Sequence, residues 1–207
     1  VNVRLDIHLH TRRHSACSAI DERELVARAI SLKLNGVVIT EHHYQWSEEE
    51  LEALREETLA PPNFLLLSGF EYTSAKGDIV VYGLDHRRAV ALEPGRPPEM
   101  ALAYFQQAGA VCVAAHPTRE QIPFDDRILH MPFNGIEVKS VNLREHEQRL
   151  AAKLAEGLGI PATASSDAHR IGDVGAYATD FEGPIGGMAD LVACVRRGAF
   201  RPAPARA

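Results

Sequence analysis

The sequence predicts an α/β barrel, and two observations carry that prediction. Short β-rich runs alternate with helical patterns almost to the end of the 207 residues. The imidazoles and carboxylates gather just after the strand-like runs instead of scattering along the chain. A βα barrel brings the C-terminal ends of its strands around one axis, so polar groups at those ends meet at one mouth. With 45% hydrophobic residues a chain of this length builds one sizeable core, and residues 1–207 are expected to form a single domain.

VRLDIHL reads as the first strand. Asp21 and Glu24 make a capping-box pattern before the apolar stripe of Leu25, Val26, Ala29 and Ile30, and Gly36 stops that helix. GVVIT is the second strand. Ser47 and Glu50 repeat the cap signal for a helix running to about Leu59, ended by Pro61 and Pro62. NFLLLSGFEY is a long third strand, with DIVVYGL as its hairpin partner. A helix from about Pro97 to Ala108 leads into AVCVAA, and a loop connects that strand to GIEVKS. A helix from about Leu143 to Glu156 precedes IPATAS, and GAYATDF supplies a last short strand. The final helix, from about Gly187 to Arg197, ends at Gly198 with Arg196 and Arg197 at its negative pole. The tail from about residue 200 is expected to be frayed.

His8 and His10 close the first strand, His42 follows the second, Glu71 ends the third, His116 follows AVCVAA, and Asp167 and His169 follow IPATASS. Parallel strands buried on both faces read as continuous apolar runs, against which these residues stand out. Mixtures of imidazole and carboxylate bind zinc, manganese and iron. Alternate strand positions face the same way, so His8 and His10 can present two nitrogens to one ion. Five histidines and two carboxylates are too many for one tetrahedral site, which makes a cluster of two or three divalent ions, bridged by Glu71 or Asp167, the economical reading.

Composition narrows the partners. A net charge of −6 and a pI of about 5.9 give no sign of the broad basic footprint of a nucleic-acid binder, so any phosphate contact is expected to be local. Cys17, Cys112 and Cys194 form no CxxC pair, which argues against a disulfide framework and for a reducing, cytoplasmic setting. The sequence contains neither a leader-like segment nor an apolar run of bilayer length, so a soluble chain is expected. Neither a GxxxxGK[ST] loop nor a GxGxxG fingerprint points to a nucleotide cofactor.

DIHLHT, ITEHH, SGFE, AAHP and SSDAH, in that order, resemble the motifs of the PHP (polymerase and histidinol phosphatase) domain family over most of the chain. GPIGGMADLVACVRRGAF is similar to the C-terminal segment of small stand-alone PHP phosphoesterases. The resemblance implies a distorted (β/α)7, TIM-like barrel with a trinuclear metal centre held by His8, His10, His42, Glu71, His116, Asp167 and His169. It also implies phosphoester hydrolysis, here of a phosphorylated small molecule or nucleotide; the chemistry of a metal cluster makes a metal-activated hydroxide the expected nucleophile, with Asp167 and His169 as the candidate catalytic, proton-transferring groups beside His43. Two other readings stand beside it: an exonuclease-like enzyme acting on nucleic-acid ends, and a non-catalytic metal-binding barrel.

The chain departs from that pattern at several positions. Glu41 stands in Thr40-Glu41-His42 where Thr-Asp-His is common, so a longer acid sits beside a ligand. Asp78, in Lys76-Gly77-Asp78, stands where many relatives carry Gly-His; it is either an oxygen ligand in place of a nitrogen or a turn residue opening a hairpin. His14 is a further ligand, a substrate contact or a loop histidine, and His43 is a proton shuttle or a packing residue. Arg119 and Arg170 are the candidate phosphate-binding cations, with Arg12, Arg13 and Lys139 also flanking the motifs. Glu137 is read as orienting its neighbours, not as a ligand.

Overall fold

The computed structural model describes residues 2–204. In chain order its elements are β1 (Asn2–Asp6), α1 (Glu22–Ser31), β2 (Gly36–His42), α2 (Glu48–Thr58), β3 (Leu65–Thr73), β4 (Asp78–Tyr82) and α3 (His86–Ala89). They continue with α4 (Pro98–Gln107), β5 (Val111–Ala115), β6 (Gly135–Lys139), α5 (Glu145–Leu158), β7 (Ala162–Ala164), β8 (Thr179–Glu182), α6 (Met188–Arg196) and β9 (Phe200–Pro202). The strands form one sheet in the order β7-β6-β5-β4-β3-β2-β1-β8-β9. Its end strands β7 and β9 lie against each other, so the sheet curls into a nearly closed barrel. Seven strands share one direction and two, β4 and β8, run against it.

The helix starts follow the sequence signals. The Asp21 carboxylate accepts from Arg23 N at 2.9 Å and Glu24 N at 3.4 Å. Ser47 and Glu50 form a reciprocated capping box, with Ser47 N donating to Glu50 Oε2 at 2.9 Å and Glu50 N donating to Ser47 Oγ at 3.2 Å. Three expectations are corrected. The first strand ends at Asp6, and Leu9 makes only an isolated parallel bridge to Ala168, because the chain turns inward to deliver His8 and His10. The four-residue helix α3 follows β4, where Asp85 caps the Arg88 N–H at 3.0 Å. The tail is not frayed from residue 200: Phe200–Pro202 pair with β8, Phe200 is buried, and Pro202 ends an edge strand, where its missing N–H is tolerated. The last three residues of the expected tail, 205–207, lie outside the described residues.

Strand periodicity separates an inner face from an outer one. Leu5, Val38, Val80, Tyr82, Val111, Val113 and Phe181 come from strands all round the sheet yet pack in one cluster, which identifies them as the barrel interior. The intervening residues Val37, Ile39, Ile79, Val81, Cys112 and Ala114 pack outward against the helices. The Tyr82 hydroxyl crosses the interior to donate to Ile7 O at 2.8 Å. Gly69 makes room for that ring, since a Cβ there would sit 2.8 Å from Tyr82 Cδ1 and 2.4 Å from Val81 O. Stepping by two from this apolar floor toward the mouth reaches Glu71 from Leu67 and Gly69, and Asp78 from Tyr82 and Val80. Among the described residues no helix is long and apolar enough to cross a membrane.

Candidate metal centre

The mouth gathers all seven residues singled out at the strand ends. Glu71 lies at the middle: its Oε2 is 3.4 Å from His8 Nε2, 3.2 Å from His10 Nε2 and 3.2 Å from His42 Nδ1, and its Oε1 is 3.1 Å from His116 Nε2. Asp167 Oδ1 lies 3.5 Å from His8 Nε2 and 3.4 Å from His10 Nε2. The rings of His42 and His169 each stand 4.6 Å from that of His10. His8, His10, Glu71, His116 and Asp167 are almost wholly buried, whereas the side chains of His42 and His169 are 34% and 27% exposed and form the open side.

The donor atoms fall into four overlapping groups, each tight enough to hold a cation: His8, His10 and Glu71; His8, His116 and Asp167; Glu71, Asp78 and His116; and His10, His42 and His169. Buried polar atoms inside these groups lack hydrogen bonds, namely His8 Nε2, His10 Nε2, His116 Nδ1 and Asp78 Oδ1. Burying such atoms without partners is costly. The close approaches of the two histidine Nε2 atoms to Glu71 and Asp167 lack hydrogen-bond geometry, so these nitrogens face a shared space between carboxylates. Divalent ions fit that donor set in charge and in ligand type.

The electrostatics agree. Burial pulls His8 and His10 toward the neutral form, but carboxylates outweigh it, Glu137, Asp167 and Glu71 around His8 and Asp167 and Glu71 around His10; His8 is held well above its ordinary value and His10 rises to about 9. Burial pushes Glu71 and Asp167 up, yet the surrounding imidazoles hold both below the ordinary carboxylate range. Asp78 rises to about 6, through burial and then the charge of Glu71. At the open side burial dominates, lowering His42 to about 4 and also lowering His169.

A second layer aims these groups. Glu137, on the inner face of β6, lies 3.0 Å from His8 Nδ1 and accepts from His116 N at 2.9 Å and from the Ser165 hydroxyl. Asn142 Nδ2 donates to Asp167 Oδ2 and Asp167 O, both at 2.8 Å. His116 and Asp167 are held at φ of 28° and 50°, a conformation unusual outside glycine and concentrated at functional sites. Glu41 points elsewhere: its carboxylate takes the Thr11 N–H and hydroxyl and, at 3.2 Å, Trp46 Nε1, so the longer acid ties down the loop after His10.

Other expected residues lie apart. His14 Nε2 sits 3.0 Å from Glu50 Oε1 and its ring stacks on Tyr44 at 3.8 Å, and it belongs to none of the cation-holding groups among the described residues. His43 N donates to Glu71 O at 2.9 Å while its ring accepts from Thr73 N at 3.4 Å, a packing position beside β3. Arg12 pairs with Asp21, and Arg13 lies against Glu22 and over Trp46. Arg119 and Arg170 instead line a cleft of about 700 Å³ with Cys17, Asn142 and His169. Asn142 escaped the sequence reading because a loop asparagine carries no periodic signal.

Comparison with known proteins bears out the family resemblance. Residues 145–200 match the PHP_C family model, described as PHP-associated. No curated protein matches the sequence. Among solved structures, PsfC from Pseudomonas syringae superposes with a TM-score of 0.72 at 22% identity, covering 98% of this chain and 91% of that one. A two-domain protein from Bacteroides vulgatus containing a predicted PHP-like metal-dependent phosphoesterase gives 0.77 at 15% identity, over 99% of this chain and 65% of that one. The lesion-specific endonuclease PfuEndoQ from Pyrococcus furiosus gives 0.66 at 14% identity, over 98% and 58%. At these identities the likeness is one of fold.

Proposed function

We propose that this PHP-type barrel is a metal-dependent phosphoesterase, with His8, His10, His42, Glu71, His116, Asp167 and His169 holding two or three divalent transition-metal ions. The observation that carries the reading is the set of buried, unpartnered donor atoms between Glu71 and Asp167, beside a cleft lined by two arginines. Such ions, when bound, lower the pKa of water and offset phosphoryl charge. Arg119 and Arg170 orient the phosphate oxygens from the cleft wall. His169, whose Nδ1 lies 3.0 Å from Asp167 O and whose pKa is lowered by burial, keeps its other nitrogen as a neutral donor for the ion it would share with His10 and His42. Asn142 keeps Asp167 turned toward the imidazoles.

A small phosphorylated compound or nucleotide suits the acidic chain better than a long nucleic acid, which would need a basic track. The test is hydrolysis of phosphomonoesters, phosphodiesters and short oligonucleotides by chelator-stripped protein reloaded with zinc, manganese or iron. Turnover of a small ester that requires added metal is the expected result. Full metal loading with no turnover across all three classes favours the non-catalytic barrel, and oligonucleotide ends as the sole substrate favour the exonuclease reading.

A further inference from the structure

The cation-holding groups are chemically unequal, and the inequality lies in residues that belong to one group only. His8, His10, Glu71 and His116 each take part in two groups. Asp78 appears only with Glu71 and His116, so that end offers two carboxylates and one imidazole. His42 and His169 appear only with His10, so the group at the opposite end is made of three imidazoles, with Glu71 at its inner edge, 3.2 Å from His42 and from His10. Asp78 is 3% exposed, projects from the start of β4 on the same face as Val80, and leaves Oδ1 without a hydrogen bond. A turn aspartate opening a hairpin would spend that oxygen on a backbone N–H.

Ligand type separates divalent ions where raw affinity does not: carboxylate oxygens suit manganese, and imidazoles suit zinc. Resting on the metal-centre reading proposed above, the geometry points to a mixed centre, with a hard ion of the Mn²⁺ class at the Glu71–Asp78–His116 end and Zn²⁺ at the His10–His42–His169 end. Asp78 is then the residue that sets metal choice, because a histidine in its place would give the two ends similar donors. The shared carboxylate of Glu71 keeps both positions within one cluster.

The test loads chelator-stripped full-length protein with one equivalent of Zn²⁺ and excess Mn²⁺. Bound metals are read by elemental analysis and by the electron paramagnetic resonance of Mn²⁺, and both ions are located by anomalous scattering from crystals at the two absorption edges. The expected result is Mn²⁺ beside Asp78 and Zn²⁺ beside His42 and His169. Asp78→His should lower the bound Mn:Zn ratio at least about tenfold; Asp78→Asn, which keeps the shape and removes the charge, should lower it in the same direction. His42→Ala should release zinc and leave the manganese signal. Zinc at the Asp78 end of the unaltered protein, or an Asp78→His ratio unchanged in folded protein, overturns the assignment while leaving a metal cluster. One or no ion per chain under replete conditions overturns the cluster reading as well, a result seen in total metal content and not in the ratio.

Discussion

Glu137 Oε1 lies 3.0 Å from His8 Nδ1 while its Oε2 accepts from His116 N at 2.9 Å, so one buried carboxylate fixes two imidazole-bearing segments from opposite sides of the mouth. The contact at Nδ1 keeps a proton there, so His8 Nε2, facing Glu71 and Asp167, is the nitrogen that a metal ion would take in exchange for a proton. Glu137→Gln keeps the shape and the acceptor for His116 but removes the charge that makes His8 basic. Metal affinity should fall about 10- to 100-fold with little change in folding. Competition against a chromogenic chelator reads the first and circular dichroism the second; unchanged affinity would show that His8 needs no such support.

Asp167→Ala removes a carboxylate that approaches His8 and His10 and that Asn142 holds in place. Turnover should drop by more than about 100-fold, beyond the effect of losing an outer support. The fold should persist, because the apolar interior lies beneath the mouth. Turnover and metal content retained in the variant would take Asp167 out of the site.

These candidate ligands were legible because they interrupt apolar strands. Glu71 after LLLSGF and His116 after AVCVAA break runs that are otherwise buried, and period-two geometry turns that break into a position on the inner face. Glu137 was legible as an orienting group for the same reason. Asn142 was not, since its role depends on a loop from β6 meeting the loop after β7, a contact that no local pattern encodes. The strand Phe200–Pro202 was missed because Pro and Ala around Arg201 read as tail, while its partner β8 and the buried Phe200 supply the pairing from outside the segment.

His14 distinguishes sequence proximity from structural proximity. It lies four positions after His10, yet its partners are Glu50 and Tyr44 at the start of α2. His14→Ala should therefore leave metal stoichiometry unchanged and cost about 1 kcal/mol of stability, from one partly exposed hydrogen bond and one ring stack. Elemental analysis and denaturant unfolding check the two halves; loss of an ion would return His14 to the centre.

Protons and metal ions compete for the same nitrogens, which makes pH separate the metal-free and metal-loaded proteins. Without metal, His10 titrates at about 9 in the folded chain, against about 6.5 when unfolded. A raised folded pKa means that the stabilisation is fully present below about pH 6.5 and is lost as pH climbs through 9. His42, held down to about 4, and Asp78, raised to about 6, change protonation below this window. The Tm of chelator-treated protein should fall from pH 7 to 9, while the Tm increment from added zinc should grow over the same range as deprotonation frees the donors. A metal-free Tm that is flat or rising would mean that His10 carries no proton between Glu71 and Asp167.

The two cleft arginines make different demands on the substrate. Arg119 is half-buried behind the His116 turn, where its backbone N–H donates to His116 O at 2.9 Å, so its backbone is tied to a residue of the cluster. Arg170 is exposed and adjoins His169. A half-buried side chain next to the cluster meets the phosphoryl group as it changes charge, whereas an exposed one adds uniform binding. Arg119→Ala should therefore lower kcat as well as kcat/KM, and Arg170→Ala should raise KM with kcat nearly unchanged. Replacement by Lys should restore Arg170 better than Arg119, because a point charge serves an exposed site but cannot reproduce a bidentate fork. Steady-state kinetics on the best phosphoester from the substrate screen decide this, and identical KM-only effects in both variants would place both arginines on a part of the substrate remote from the reacting phosphate.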